Sequence, residues 1–519
     1  MTQETALAES PPSISQHSSD LSTSERFEDA KCQITYSETA PRSHEKSFYD
    51  IYTERQRYTI LLIVAVAAIM VPFCDTIYLP ALQAIESDLD ASSSLVALSV
   101  AIYMFMVGAS ALVWGPASDR FGRKIIYLSA TVFFIITSIV CIFSPNINVL
   151  IPFRALQGIS VGAFLSVGGG ALADVFPPSR RGGASGLFII SVLVGPIIGP
   201  LLGGALAQQY GWRSCFICLT MFAGVVILPM IYFTLPETHQ HIKYQEVKKE
   251  NPAEAEDFKE AAIIEARVPV FNAPWVPLGY LTELAVAPHA AVAMIVFGSY
   301  FAGLTELPVA LAVEPYNLSI SIIGLCYLPQ GVGAFIAAPF FGRLSDRSAT
   351  ARPGLPESRL IHNTLAALLV MPPALLLYGW SLDYKTSLAA SMIGEFLFGF
   401  GTGAYLPGIL GYMSAVKQSA AGAGSAMVQA AMFITAGVLI LVSSIVVDVI
   451  GFGPFFSILA GIQAVIGLFA YSIIWYKCKK YTPPATTQPS GDHKITLVTP
   501  AGKSEVVLVI PSSMSAEQK

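Results

Sequence analysis

Twelve times along its 519 residues the chain runs for roughly 20 residues with almost no charge, long enough at 1.5 Å per residue to cross a hydrocarbon layer about 30 Å thick. No water-soluble architecture accommodates that pattern. Apolar residues make up 54% of the chain and charged ones 13%, about half the share of an average soluble protein. The spacing predicts an all-α polytopic membrane protein with spans at 58–82, 95–114, 125–143, 147–175, 182–207, 214–235, 290–314, 319–341, 360–380, 386–413, 420–447 and 453–476.

The loops orient these spans. With the N-terminus in the cytosol, Arg213 and Lys385 are the basic residues of the outer loops, and Arg154 falls inside a span. The rest fall on the cytosolic side, in the tails and in inner loops that carry Arg120, Arg123 and Lys124, Arg180 and Arg181, Arg343, Arg347, Arg352 and Arg359, and Lys417. Because positive residues stay inside, both termini are expected in the cytosol. Residues 1–57 read as a disordered cytosolic tail, rich in Ser, Thr and Glu, and 477–519 as a polar cytosolic tail. Residues 236–289 form a long connector between two six-helix halves, 58–235 and 290–476, and Glu254 to Val268 has the spacing of a surface helix.

The halves echo each other. Gly115-Pro-Ala-Ser-Asp119-Arg120 follows the second span, and Gly342-Arg-Leu-Ser-Asp346-Arg347 follows the eighth. Secondary transporters built from such repeats place cargo at the midplane between halves. Nucleic acid is excluded as a partner by the lack of a basic, aromatic-interleaved stripe. The seven cysteines are scattered, and Cys215 and Cys218 open an apolar helix with no second pair nearby, so neither zinc nor disulfides are indicated. The chain contains no phosphate-cradling ATP loop and no cluster of enzymatic side chains, so a primary pump and an enzyme are both excluded.

Three motifs carry chemistry. The first is Gly115-Pro-Ala-Ser-Asp119-Arg120-Phe-Gly122-Arg123-Lys124. Glycines at its two ends allow a tight reversal with the charges at the lipid boundary. It resembles the loop signature of the major facilitator superfamily, in which the acid and arginines latch the cytosolic ends of the halves. By that resemblance Asp119 caps a helix end in the other half and Arg123 pairs with Asp174. Asp346 and Arg347 form a weaker second copy, which lacks the following Gly-Arg.

The second is Gly186-x8-Gly195-x3-Gly199-Pro200-x2-Gly203-Gly204 in the fifth span, where glycines permit close helix approach and prolines bend the helix. This is similar to the antiporter motif of drug:proton antiporters. The third is Arg154 with Gln157 and Gly158 in the fourth span. A guanidinium there must face protein or water. The same arrangement marks those antiporters, where the arginine is linked to proton transfer.

Asp75, Glu395 and Glu306, in that order, are the intramembrane candidates for the proton, since a carboxyl held away from water can take and release one near neutral pH. Tyr103, Gln157, Tyr300 and Tyr405 are cavity candidates for a flat substrate. The resemblance over 58–476 implies a monomeric exporter of the fungal type, in the plasma membrane or else the vacuolar membrane. Its cargo would be a small organic solute: drug, organic acid or secondary metabolite. No cofactor is implied, and the proton gradient supplies the driving force. The same fold also serves importers.

Overall fold

The computed structural model describes residues 47–252, 255, 258, 264, 279, 281–416, 421–482, 493–498 and 505–510. Most of the expected surface helix at Glu254 to Val268 lies outside them. The first half contains α1 (Glu54–Thr76), α2 (Leu82–Asp88), α3 (Ser93–Phe121), α4 (Arg123–Ile142), α5 (Ile147–Val175), α6 (Pro178–Tyr210) and α7 (Arg213–Met221). A π-helical turn at Phe222–Ile227 joins α7 to α8 (Leu228–Thr234), and α9 (Gln240–Glu250) opens the connector. The second half contains α10 (Ala287–Leu311), α11 (Ile320–Cys326), α12 (Leu328–Ala351), α13 (Ile361–Asp383), α14 (Leu388–Val416), α15 (Ala421–Ile450) and α16 (Phe452–Lys480). Past the last helix, His493–Val498 and Glu505–Ile510 pair as an antiparallel ladder with His493 opposite Ile510.

Ten spans among the described residues are long and apolar enough to cross a membrane. α6, of 33 residues, and α14, of 29, are also long enough and rich in glycine. Together they make the twelve segments read from the sequence.

Helix ends depart from the sequence reading in one informative way. α3 runs to Phe121, so Gly115, Asp119 and Arg120 lie within helix, and the reversal rests on Gly122 alone at φ 96°. A Cβ at Gly115 would meet nothing within 4 Å. The eighth span likewise continues as α12 through Asp346 and Arg347.

Inside each half the helices pack on bare backbone. Gly158 and Gly162 of α5 rest against the Tyr103 and Val107 carbonyls of α3, and Gly399 and Gly403 of α14 against the Gln330 and Ala334 carbonyls of α12. The same device joins the halves. Gly108 of α3 abuts the Ala430 carbonyl of α15, and Gly437 of α15 abuts the Ala101 carbonyl of α3. At the end remote from Gly122, Gly204 of α6 and Gly324 of α11 face each other, and Ser321 Oγ donates to the Gly204 carbonyl at 3.2 Å. With no hydrophobic drive between helices in lipid, such close approach is what holds them.

A short segment before α1 ties the first half to the connector. Phe48 is buried with Tyr244, Phe258 and Ile264, and the Tyr52 hydroxyl donates to the Glu237 carbonyl at 2.9 Å. Burial, reinforced by nearby Asp174 and Glu237, raises the Tyr52 pKa, so it remains a donor.

Candidate functional site

The first half builds its part of the site where α1 breaks. Pro72 lies inside α1, which ends at Thr76, and a 3₁₀ turn at Leu79–Ala81 with Pro80 in it redirects the chain. Asp75 sits one residue before that end. Three glycines of the fifth span lie on this break. Cβ atoms at Gly195, Gly199 and Gly203 would run into Pro72, Thr76 and the Ile77 carbonyl respectively. Thr76 Oγ1 bonds the Pro72 carbonyl at 2.7 Å and reaches the Gly195 carbonyl at 3.3 Å. Gly204 faces the other half, whereas Gly186 has nothing within 4 Å of a Cβ. Pro196 and Pro200 lie within the same stretch of α6.

Asp75 is buried, and neither carboxyl oxygen has a hydrogen-bond partner. Arg154 is fully buried and packed wholly within its own half. Its guanidinium carbon is 4.3 Å from the Tyr78 ring centre, 4.2 Å from that of Tyr103 and 5.8 Å from that of Phe216. Nη1 donates to Gln157 Oε1 at 2.9 Å, and Gln157 Nε2 passes the chain on to Ser138 Oγ at 2.7 Å. The Tyr103 hydroxyl donates to the Val71 carbonyl at 2.8 Å. Tyr103 and Gln157, expected on a cavity wall, therefore belong to the arginine's box. Cys74 completes it, with Sγ 3.4 Å from Nη1.

The second half contributes Glu395 on α14, fully buried with both oxygens unpartnered. Tyr378 of α13 stands beside it, its own hydroxyl donating to the Gly303 carbonyl at 2.9 Å. Tyr300 of α10 is buried with its ring 6.3 Å from that of Phe398 on α14, and the hydroxyl of Tyr327, between α11 and α12, donates to the Leu304 carbonyl at 2.9 Å. Glu306 of α10 is buried near Ser443 of α15. Tyr405 is packed inside the second half, donating to the His289 carbonyl at 2.8 Å.

At the Gly122 end, Arg123 organises a charged cluster. Its Nε meets Asp174 Oδ2 at 2.9 Å, its Nη2 meets Asp119 Oδ1 at 2.7 Å, and Nη1 donates to Ser118 Oγ. The guanidinium lies over Gly170 of α5. Asp119, expected to cap a helix of the other half, is paired within its own. Glu237 accepts from the Arg123 and Lys124 backbone amides at 2.9 and 3.2 Å, capping the N-terminus of α4. It also accepts from Thr238 and His239 N–H. Burial, with Arg123 adding to it, lowers the His239 pKa to about 4, so this neighbour is neutral near pH 7 and does not oppose Arg123.

The second copy is more complete than its sequence. Arg359, just before α13, pairs with Asp346 Oδ1 at 2.7 Å and lies 3.3 Å from a Cβ placed at Gly411 of α14. Arg359 thus takes the place of Arg123, and Gly411 that of Gly170. Arg347 is exposed.

Two glycine-packed halves with a buried acid in each, and an arginine-centred cluster at one end, accompany a match to a family model. The Major Facilitator Superfamily model matches residues 64–394. The chain belongs to the major facilitator superfamily.

Relatives within the superfamily include the MFS antiporter QDR3 of Candida albicans, 27% identical over 80% of this chain and 77% of that protein. Citrate exporter 1 of Aspergillus niger is 29% identical over 69% of this chain and 74% of its own. Among solved structures, a partially occluded inward-open conformation of the xylose transporter XylE from E. coli superposes with a TM-score of 0.60 at 14% identity, covering 81% of this chain and 98% of that one. The human organic anion transporter MFSD10 gives a TM-score of 0.55 at 18% identity, over 80% and 99% respectively. As a superfamily member the chain is a multi-pass membrane transporter of small solutes and not an enzyme.

Sequence reasoning missed Tyr78, Tyr327, Tyr378, Glu237 and Arg359. For Tyr78 a signal existed, since it lies three residues past Asp75 at a helix break. Arg359 was hidden by the insertion that separates it from Asp346.

Proposed function

We propose that this transporter exports a small organic solute in exchange for protons by alternating access, with Asp75 and Glu395 as the groups that exchange protons for cargo. The observation that carries this reading is the buried, unpartnered carboxyl in each half, Asp75 at the break of α1 and Glu395 on α14. An ionised carboxylate left alone in such surroundings costs several kcal/mol, so a proton or a bound solute is what compensates it. Glu306, which faces α15, is a third site of protonation and not part of the cargo wall. Arg154 sits beside the same α1 break and conditions Asp75 from behind.

The α6 glycines support antiport by letting α6 lie on the segment of α1 that bears Asp75, so that movement of one helix is felt at the acid. The relatives named as an antiporter and an exporter agree with outward transport. The Arg123 cluster would hold the cytosolic end of the first half and the Arg359 pair the cytosolic end of the second. A plasma-membrane location is part of the same proposal, by the resemblance to fungal exporters.

Efflux from pH-clamped vesicles tests the coupling. Dissipating the proton gradient should stop uphill export while ATP remains available. Asp75→Asn should abolish gradient-driven export and preserve downhill exchange, because a permanently neutral side chain cannot cycle. Export indifferent to an uncoupler would reject proton antiport, and a fully active Asp75→Asn would pass the role to Glu395 or Glu306.

A further inference from the structure

We infer that Tyr378 is a positioning residue that ties the protonation of Glu395 to the bend of α10, by giving its one hydroxyl hydrogen either to α10 or to the acid. This rests on the proton role proposed above for Glu395 and adds the step by which that proton is felt. Three helices meet here on glycines. A Cβ at Gly394 of α14, the residue before Glu395, would lie 3.0 Å from the Tyr378 backbone on α13. One at Gly303 of α10 would lie 2.6 Å from the ring of Phe398, three residues past Glu395, and the Tyr378 and Phe398 rings are 6.1 Å apart. Tyr378 and Glu395 are both fully buried. The hydroxyl donates to the Gly303 carbonyl at 2.9 Å, while both Glu395 oxygens are without a partner.

A phenol has one hydrogen to donate. With Glu395 protonated nothing competes for it, and the Gly303 bond stands as observed. An ionised Glu395 is a buried carboxylate beside that donor, and a hydroxyl bond to a carboxylate is roughly twice as strong as one to a neutral carbonyl, so the hydrogen turns to the acid. Gly303 then loses its donor at the weak point of α10. Pro308, inside this helix, removes the backbone donor that the Leu304 carbonyl would otherwise have, and that carbonyl accepts from the Tyr327 hydroxyl at 2.9 Å instead. Two tyrosines thus hold successive carbonyls on the turn before the proline. Past that turn, Pro308 and Ala312 line one cavity with Pro80, Gln83 and Ala84 of the first half. The bend of α10 therefore sets how the halves meet at the end remote from Gly122. Loss of the Gly303 bond loosens that meeting and its return restores it, which suits a carrier that is closed on the outside when protonated and free to open there when ionised.

The reporter is Cys326 at the same end, 7% exposed, labelled by a maleimide in the purified full-length transporter and located by mass spectrometry. Rates are normalised at each pH to those of the denatured protein, which removes the titration of the thiol itself. In the parent, labelling should rise about fivefold from acid to alkaline pH, the shift in population that one neutral hydrogen bond commands. Glu395→Gln and Tyr378→Phe should each lose that rise. Tyr405→Phe removes a donor to the same helix at His289, about 21 Å along α10 from Gly303, and should keep it, because a merely structural hydroxyl does not respond to pH. Thermal melting checks that each variant is folded. Should Tyr378→Phe not fold, the acid-minus-alkaline infrared difference spectrum of the parent replaces it: a tyrosine hydroxyl band should change together with a carboxyl band, and both changes should vanish in Glu395→Gln. A rise that survives Glu395→Gln would reject the proton role of Glu395 and this inference with it. A rise lost in Glu395→Gln but kept in Tyr378→Phe would overturn the role of Tyr378 alone, as would its loss in Tyr405→Phe, its absence in the parent, or tyrosine bands indifferent to Glu395.

Discussion

A single hydrogen separates tolerance from failure at several positions in α6. Within one glycine pattern, the sites differ physically: a Cβ at Gly203 would fall on the Ile77 carbonyl, and one at Gly186 would meet open space. Gly203→Ala should therefore force α1 and α6 apart at a cost of about 1–3 kcal/mol, the range for overpacking, with a lower melting temperature in detergent and reduced transport. Gly186→Ala should melt as the parent does. Equal behaviour of the two variants would show that the motif is not a close-approach surface. Arg154 teaches the same lesson about context. Its residue type announced a buried function, but its partners are aromatic faces and a glutamine, with no carboxylate within ion-pair distance among the described residues.

At the scale of elements, the caps and charged clusters at helix ends carry the connections. Glu237 serves four backbone amides, two at the start of α4 and two in its own turn. Glu237→Ala should lower stability by about 1–2 kcal/mol, the measured range for cap loss, and Glu237→Gln should recover part of that. A melting temperature unchanged by Glu237→Ala would remove the cap from the account. The two halves also predict matched phenotypes: Arg123→Ala and Arg359→Ala should both reduce transport with protein still at the membrane. The Arg123 change should be the more damaging, because Arg123 holds two acids and Arg359 one. Transport assays with surface quantification compare them; a stronger effect at Arg359 would reverse the assignment of the principal latch.

For the whole molecule, the contact of Gly204 with Gly324 joins the halves at the end remote from Arg123. A side chain placed at Gly324 would be only 2.5 Å from the Pro200 carbonyl. Gly324→Ala should therefore favour the arrangement in which these ends are apart. Cys326, two residues on and 7% exposed, provides the reporter. Its labelling by an external membrane-impermeant maleimide, located by mass spectrometry, should rise in the variant; unchanged labelling would mean the contact does not gate access from that side. Twelve spans, two halves and the family signature were legible in the sequence because lipid imposes length and apolarity on each span locally, and because the three motifs are contiguous. The sequence also determined which carboxyls lie inside the membrane. Only the tertiary structure decided their company: Asp75 sits at an α1 break covered by the α6 glycines, Glu395 stands beside Tyr378, Tyr405 packs within its own half, and Arg359 stands in for an arginine that the second copy of the signature lacks. Periodicity fixes what a helix buries, whereas the rotation of each helix against its neighbours is set by packing between residues distant in the chain, here by glycines whose partners no local pattern names.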